Sequence, residues 1–449
     1  MLKYSRNIQL KIILINLFGG LMYNLNIKEL GCFDVAVCGG GIAGVCAAIS
    51  SARQGAKTVL IERAGSLGGT LTEGFMPQIL DADNKGGLVR ELFSFLSEHS
   101  MSLARRGERV NSEGKRNPGP IVDTEGCKYF FDKLCCDSGV TVLFYSQVAA
   151  VRMNERSIDS LLVVTECGNY TLSAKVYIDA TGNGSLADLA GCEWECGDPV
   201  EKRPSPTSTA ICTVGMPENY DGTDSPEDKR SYSDMLLKYG IEVSSGLTSV
   251  KKMPTLLSWN MGVNFQYGVM PDDIASLSAA TLEGRRESFE FVEAHKKIEG
   301  YEKLATVFTS SHIGVREGRR VFGEYRLCDD DILEGRRFPD AVCLVTFGVD
   351  VHRLKSDDTD ECSRGYRTKP YHIPYRSLVA RDCDNLLLAG RCISGDFYPH
   401  ASYRVMGNMA ATGEAAGYAA AESFKCGSLP RDYDGISVSR FMQARGYEI

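Results

Sequence analysis

Histidine is scarce in this chain, six in 449 residues, and one of them stands where it could do chemistry. Tyr398-Pro399-His400-Ala401-Ser402-Tyr403-Arg404 places an imidazole four residues before a guanidinium. Imidazole is the side chain that changes protonation near neutral pH, so His400 is a candidate acid/base. Arg404 can bind a carboxylate or stabilise developing negative charge. The plainer reading has His400 capping a helix or satisfying a loop carbonyl. A second basic group lies earlier, in Gly314-Val315-Arg316-Glu317-Gly318-Arg319-Arg320. Arg319 stands for it as a substrate-side candidate; the plainer reading pairs these arginines with Glu317 and Glu324 on a solvated face. His352 and His372 could also line such a site, but a structural role is the simpler reading of each.

Such groups need a scaffold, and its clearest piece is near the other end of the chain. Asp34-Val35-Ala36-Val37-Cys38 is a short apolar run of the kind that forms a buried parallel strand. Gly39, Gly41 and Gly44 follow in the pattern G-x-G-x-x-G, with Ile42 and Ala43 inside it. Val45 to Gln54 then reads as a helix ended by Gly55, and Thr58-Val59-Leu60-Ile61 as a second strand closed by Glu62. The glycines serve different ends. Gly39 permits the tight turn, Gly41 lets the backbone approach a pyrophosphate, and Gly44 lets helix and strand pack closely. The helix N-terminus adds free N–H groups and partial positive charge. Glu62 is placed to accept from ribose hydroxyls, and its acidity argues against a 2′-phosphate, although Arg63 follows directly. A lone glycine fingerprint is weak; here strand, glycines, helix, strand and acid occur in order.

The rest of the chain suggests one discontinuous unit with another set into it. Residues 204–215 and 256–268 look like strand material, and a helical pattern runs from Ile274 to about Ser311. Leu386-Leu387-Leu388 is another buried strand, and residues 402–423 form a helix rich in small residues. The expected class is α/β: a Rossmann-like, two-dinucleotide-binding-type domain with an inserted mixed α+β substrate domain. The expected division is a weak or disordered leader at 1–32, a first part at 33–195, an insert at 196–375, a return at 376–430 and a tail at 431–449. The apolar run in the leader is shorter than the ~20 residues that span a membrane.

Composition narrows the partners. A formal charge of −8 and a pI near 5.5 argue against nucleic acid. Sixteen scattered cysteines include no C-x-x-C pair, so neither a metal site nor an iron–sulfur centre is expected, and reduced thiols in the cytoplasm are the simplest reading.

Further stretches are more specific. Tyr177-Ile178-Asp179-Ala180-Thr181-Gly182 is a strand ending in A-T-G, and the Leu386–Gly390 strand runs into Arg391. With Leu67-Gly68-Gly69-Thr70, the Gly314–Arg320 stretch, Arg404-Val405-Met406-Gly407 and Gly413-Glu414-Ala415-Ala416-Gly417, the chain resembles the FAD-dependent oxidoreductase family that includes heterodisulfide reductase A-like flavoproteins. The resemblance covers roughly residues 33–425. It implies non-covalent FAD, with Gly39, Gly41 and Gly44 on the pyrophosphate and Glu62 on the ribose. Gly69 and Thr70 would lie toward the flavin, and Ala180, Thr181, Gly182, Gly390 and Arg391 would contact the cofactor. Many FAD proteins carry an Asp where Arg391 stands; Asp396, five residues on, is the other candidate for that role. Some relatives bind a [4Fe–4S] cluster, for which this chain lacks the cysteine spacing. The implied activity is hydride or electron transfer with a small, oxygen-rich or anionic substrate. The alternatives are an NAD(P)-dependent dehydrogenase and a flavin-carrying electron-transfer component of a complex. The electron donor or acceptor and any homo-oligomer stay open.

Overall fold

The computed structural model describes residues 11–17, 21–104, 119–255, 257–270, 272–355 and 368–449. Its centre is an eight-stranded sheet. The parallel part of that sheet runs from Thr141–Leu143 to Thr58–Ile61, then Leu21–Cys38, then Gly168–Asp179, then Leu386–Leu388. Val35, Ala36, Val37, Leu60, Ile178 and Leu387 are wholly buried, as strands covered on both faces must be. An antiparallel hairpin, Ser146–Asn154 and Ser157–Thr165, extends the sheet past Gly168–Asp179.

Two helices lie close together on this sheet, Ile42–Arg53 and Met406–Lys425. A methyl group on Gly413 would stand 2.1 Å from the Ala43 carbonyl oxygen, and one on Gly417 would stand 2.1 Å from that of Ala47. The small residues at this four-residue spacing let the two backbones nearly touch. That contact ties the chain's C-terminal part to the glycine fingerprint.

A second, four-stranded antiparallel sheet has the order Ser249–Lys252, Trp259–Gly262, Ala210–Val214, Ala305–Thr309. Ile211, Leu236, Val250, Trp259, Met261 and Phe291 form its own core, with Leu236 from the helix Pro226–Lys238 and Phe291 from Ile274–His295.

Several boundaries differ from the sequence reading. The first strand begins at Leu21 rather than near Phe33, and Lys11–Leu17 pairs antiparallel with it. Residues 27–33 are drawn into the sheet because Gly168–Asp179 continues beside them, pairing Ile27 with Asn169 and Phe33 with Ala174. Part of the expected leader is therefore strand. The helix expected to reach Ser311 stops at His295; Gly300, at φ +87°, lies in the turn that follows, and the β-branched run Ala305–Thr309 becomes a strand. Residues on both sides of the expected insert boundary share the main core. Val342, Cys343, Val345, Tyr371 and Ile373 pack in the main core, and so do Val438, Met442 and Tyr447 of the expected tail, which folds as the helix Gly435–Ala444.

Candidate functional site

The three glycines of the fingerprint meet different surroundings. A methyl on Gly44 would lie 1.8 Å from the Gly39 carbonyl oxygen, and one on Gly39, itself at φ +100°, would lie 2.5 Å from the Ala180 carbonyl oxygen. Both glycines close the protein on itself. A methyl on Gly41 would meet nothing within 4 Å. Gly41 is also the N-cap of the helix Ile42–Arg53, and no side chain caps that terminus. Open space thus lies before a helix end whose first N–H groups lack side-chain partners, the arrangement that receives a phosphate. Ile42 and Ala43 form the first turn and are buried.

A second loop completes the rim. The Gly68 N–H donates to the Gly40 carbonyl at 2.8 Å, and a methyl on Gly69 would stand 3.0 Å from the Gly41 Cα. Gly69 therefore lies beside Gly41, with Thr70 next in the chain. Glu62 is buried and accepts from the N–H groups of Gly40 at 2.5 Å and Ala64 at 2.7 Å. Its carboxylate locks the turn and still has lone pairs to offer. The Arg63 guanidinium turns to the His312 ring, 2.9 Å from Nδ1. Burial, helped by Arg63 and Arg391, pushes His312 down to about 4.

Sequence reasoning assigned no role to Asp179, and the A-T-G loop depends on it. Its fully buried carboxylate accepts from the Thr181 N–H at 2.9 Å, the Thr181 hydroxyl at 2.7 Å and the Ala187 N–H at 2.9 Å. Burial raises its pKa. The Thr181 hydroxyl in turn accepts from the Ser185 N–H, so Thr181 shapes the wall rather than pointing a free hydroxyl into the cradle. Ala180 packs its carbonyl against Gly39, and Gly182 lies against the Arg391 guanidinium. An acid at a strand end, just before the turn, was the available signal.

The structure separates Arg391 from Asp396. Asp396 is ion-paired with Arg326. Arg391 follows Gly390, whose N–H donates to Thr412 Oγ1. It donates to Asn183 Oδ1 at 2.7 Å, while its Nε is buried without a partner. Burial, with Arg404 and Arg63 nearby, pushes Arg391 down to about 10, so it stays charged at neutral pH. No ion pair joins it to a carboxylate among the described residues. Room at Gly41, an uncapped helix end and an unneutralised guanidinium fit a dinucleotide pyrophosphate.

The expected catalytic group divides. His400 is buried in the helix Phe397–Tyr403, its ring hydrogen-bonded to the backbone of Arg391, with Nε2 unpartnered. Burial and the nearby Arg320, Arg404 and Arg391 hold it well below 6.5. Held neutral, the imidazole offers Nε2 as an acceptor. Arg404 donates to the Asp350 carbonyl at 2.7 Å and lies 3.5 Å from its carboxylate.

Arg319 does not join them. It pairs with Asp188 at 3.1 Å, donates to the Asn183 carbonyl and stacks on Trp194. Arg320 and Glu317 form a buried pair that also holds residues 195–205: Glu317 accepts from the Gly197 and Ser205 N–H groups. Arg316, which sequence reasoning treated only as part of the group, lies over Phe265, whose ring also meets His352, the neighbour of Asp350 and so of Arg404. His372 is tied to Arg337 and the Phe338 N–H. His352 stacks edge-on against Phe265 and lies 3.6 Å from Asp350.

Among the described residues there is no His, Cys, Asp and Glu group that could hold a metal ion, and no helix long and apolar enough to cross a membrane. A family model described as FAD dependent oxidoreductase matches residues 34–443. No curated protein matches the chain. Solved structures that match include a geranylgeranyl bacteriochlorophyll reductase-like protein from Thermoplasma acidophilum, at 14% identity over 92% of this chain and 84% of that one, TM-score 0.48. The flavin-dependent brominase Bmp2 matches at 12% identity over 92% and 83%, TM-score 0.49. The p-nitrophenol 4-monooxygenase PnpA from Pseudomonas putida DLL-E4 matches at 11% identity over 93% and 87%, TM-score 0.48.

Proposed function

The chain belongs to the FAD dependent oxidoreductase family, and from that premise we propose that it exchanges hydride or electrons with a small, anionic substrate. Bound FAD supplies the two-electron chemistry. Gly41, Gly69 and the Ile42–Arg53 helix end receive its pyrophosphate, Glu62 its ribose, and Arg391 adds countercharge. His400 and Arg404 stand on the substrate side. The kinship with heterodisulfide reductase A-like flavoproteins rests on the sequence stretches alone and is part of this proposal.

One observation carries the anionic reading. Arg404 acts electrostatically on both Arg316 and Arg391, and the acid near Arg316 and Arg404 among the described residues is Asp350. Guanidiniums gathered with so little countercharge lower their energy by receiving an anion.

The test is direct. The purified protein should be yellow, with flavin absorbance near about 450 nm. Anaerobic mixing with hydroxy acids, sugars, amines and NAD(P)H should bleach it with one class. Flavin that neither co-purifies nor binds on reconstitution would sink the proposal. Bound flavin bleached by none of these would favour an electron-transfer component of a larger complex.

A further inference from the structure

Arg316 and Arg404 come from distant parts of the chain and converge. Arg404 ends the helix Phe397–Tyr403. Arg316 lies where residues 313–320 leave the second sheet, just past the bridge between Gly314 and Ser208. It donates to the Pro206 carbonyl at 2.7 Å, and its guanidinium lies over the Phe265 ring, 4.5 Å from the centroid. That stacking fixes the plane of the fork and leaves N–H groups free to donate at its edge. No carboxylate among the described residues forms an ion pair with Arg316. Burial first, then Arg404, pushes Arg316 down to about 10, so its charge persists at neutral pH. Asp350 lies 3.5 Å from Arg404 and 3.6 Å from His352, and forms no ion pair with Arg316. Among the described residues, two positive charges face one negative.

His400 supplies a second, different partner. It precedes Arg404 by one helical turn, so the two side chains share a face. Its ring is bonded to the Arg391 backbone. A ring nitrogen facing a carbonyl must donate, which leaves Nε2 with a lone pair in neutral imidazole. That acceptor is buried and has no partner. An unpaired buried acceptor is costly, and a hydroxyl hydrogen from a ligand would satisfy it.

We propose that Arg316 and Arg404 form a seat for one substrate carboxylate, and that His400 Nε2 accepts the hydrogen bond of a hydroxyl close to it. The substrate is then a short hydroxycarboxylate. This deepens the function proposed above and rests on it.

The experiment measures equilibrium binding to the FAD-loaded protein by calorimetry and by perturbation of the flavin spectrum. The probes are L-lactate, propionate, which lacks the hydroxyl, methyl L-lactate, which lacks the charge, and inorganic phosphate. Lactate should bind tightest, with the uncharged ester weaker by about 10- to 150-fold, the range expected for losing a charge-assisted hydrogen bond. Arg316→Gln should weaken lactate and propionate alike by a similar factor while flavin stays bound. His400→Gln should narrow the gap between lactate and propionate and leave the ester's deficit in place. The ester comparison uses the unaltered protein, so it decides even where a variant fails to fold. Equal binding of lactate and its ester, or phosphate binding with no carboxylate binding, overturns the seat while the flavin reading stands. A protein that never takes up flavin overturns both.

Discussion

Alanine at position 41 tests the cofactor cradle apart from the fold. Gly41 sits at φ −64° and ψ 175°, an extended conformation open to any L-residue. Its added methyl meets no protein atom within 4 Å. The apo-protein should therefore fold as before, or gain about 0.4–1 kcal/mol because the unfolded chain is less free. The same methyl stands in the space reserved for the pyrophosphate. Displacing the phosphate from one N–H removes a hydrogen bond to a charged group, worth about 1.5–3 kcal/mol. That corresponds to FAD binding weaker by about 10- to 150-fold. Gly44→Ala is the contrasting variant. Its methyl would stand 1.8 Å from the Gly39 oxygen, so strand and helix must separate at a cost of about 1–3 kcal/mol or more. The assay titrates FAD into apo-protein by flavin fluorescence and follows thermal unfolding of both apo-variants. Gly41→Ala should melt like wild type and bind poorly; Gly44→Ala should melt early. Wild-type affinity in Gly41→Ala would refute the placement of the pyrophosphate. Early melting of that variant would refute the claim of open space.

Two further substitutions probe buried charge. Glu317→Ala removes one of the two carboxylates paired with buried Arg320, leaving Glu195, and strands two backbone donors, which should cost about 1–3 kcal/mol for each donor left unsatisfied; urea unfolding that shifts by less than about 1 kcal/mol would contradict this. His295 is completely buried in the second core, with Nε2 bonded to the Tyr232 hydroxyl and rings of Phe291 and Tyr301 around it. Burial pushes it down to about 4, below its unfolded value of about 6.5. The unfolded chain therefore binds the extra proton between those values, so this contribution to stability is full above pH 6.5 and is lost as the pH falls toward 4. His295→Gln should flatten the decline of stability between pH 6.5 and 5 by up to about 1.4 kcal/mol per pH unit. Parallel profiles for the two proteins would show that His295 does not titrate in this way.

The cofactor half of the site was legible because its chemistry is local. Gly39 to Glu62 is one strand–turn–helix–strand unit, and what each glycine does follows from its place in the turn. The small residues of 406–425 were legible for a similar reason: only small residues allow helices to meet at Ala43 and Ala47. Asp179 was harder, because its role is to bind donors of a turn that sequence cannot fold. The choice between Arg391 and Asp396 was harder still. Asp396 pairs with Arg326, which lies far away in the chain, and no local pattern foretells that.

The stretch Arg316-Glu317-Gly318-Arg319-Arg320 shows why the substrate half was not legible. Read as a helix face, its arginines form one basic cluster with one purpose. The backbone there is irregular and leads into the short strand Arg320–Val321, so its side chains leave in different directions. Arg316 goes to Phe265 and the Arg404 side. Glu317 and Arg320 go inward and clamp residues 195–205. Arg319 goes to Asp188 and Trp194. Three of these four charges are answered by partners within the protein, and that is what makes the fourth informative. A charge cluster marks a ligand only after its internal partners have been removed, and such a partner can lie 125 residues away, as Glu195 does from Arg320. Arg316 keeps its unmatched charge beside Arg404 because Glu317, its neighbour in sequence, faces the other way.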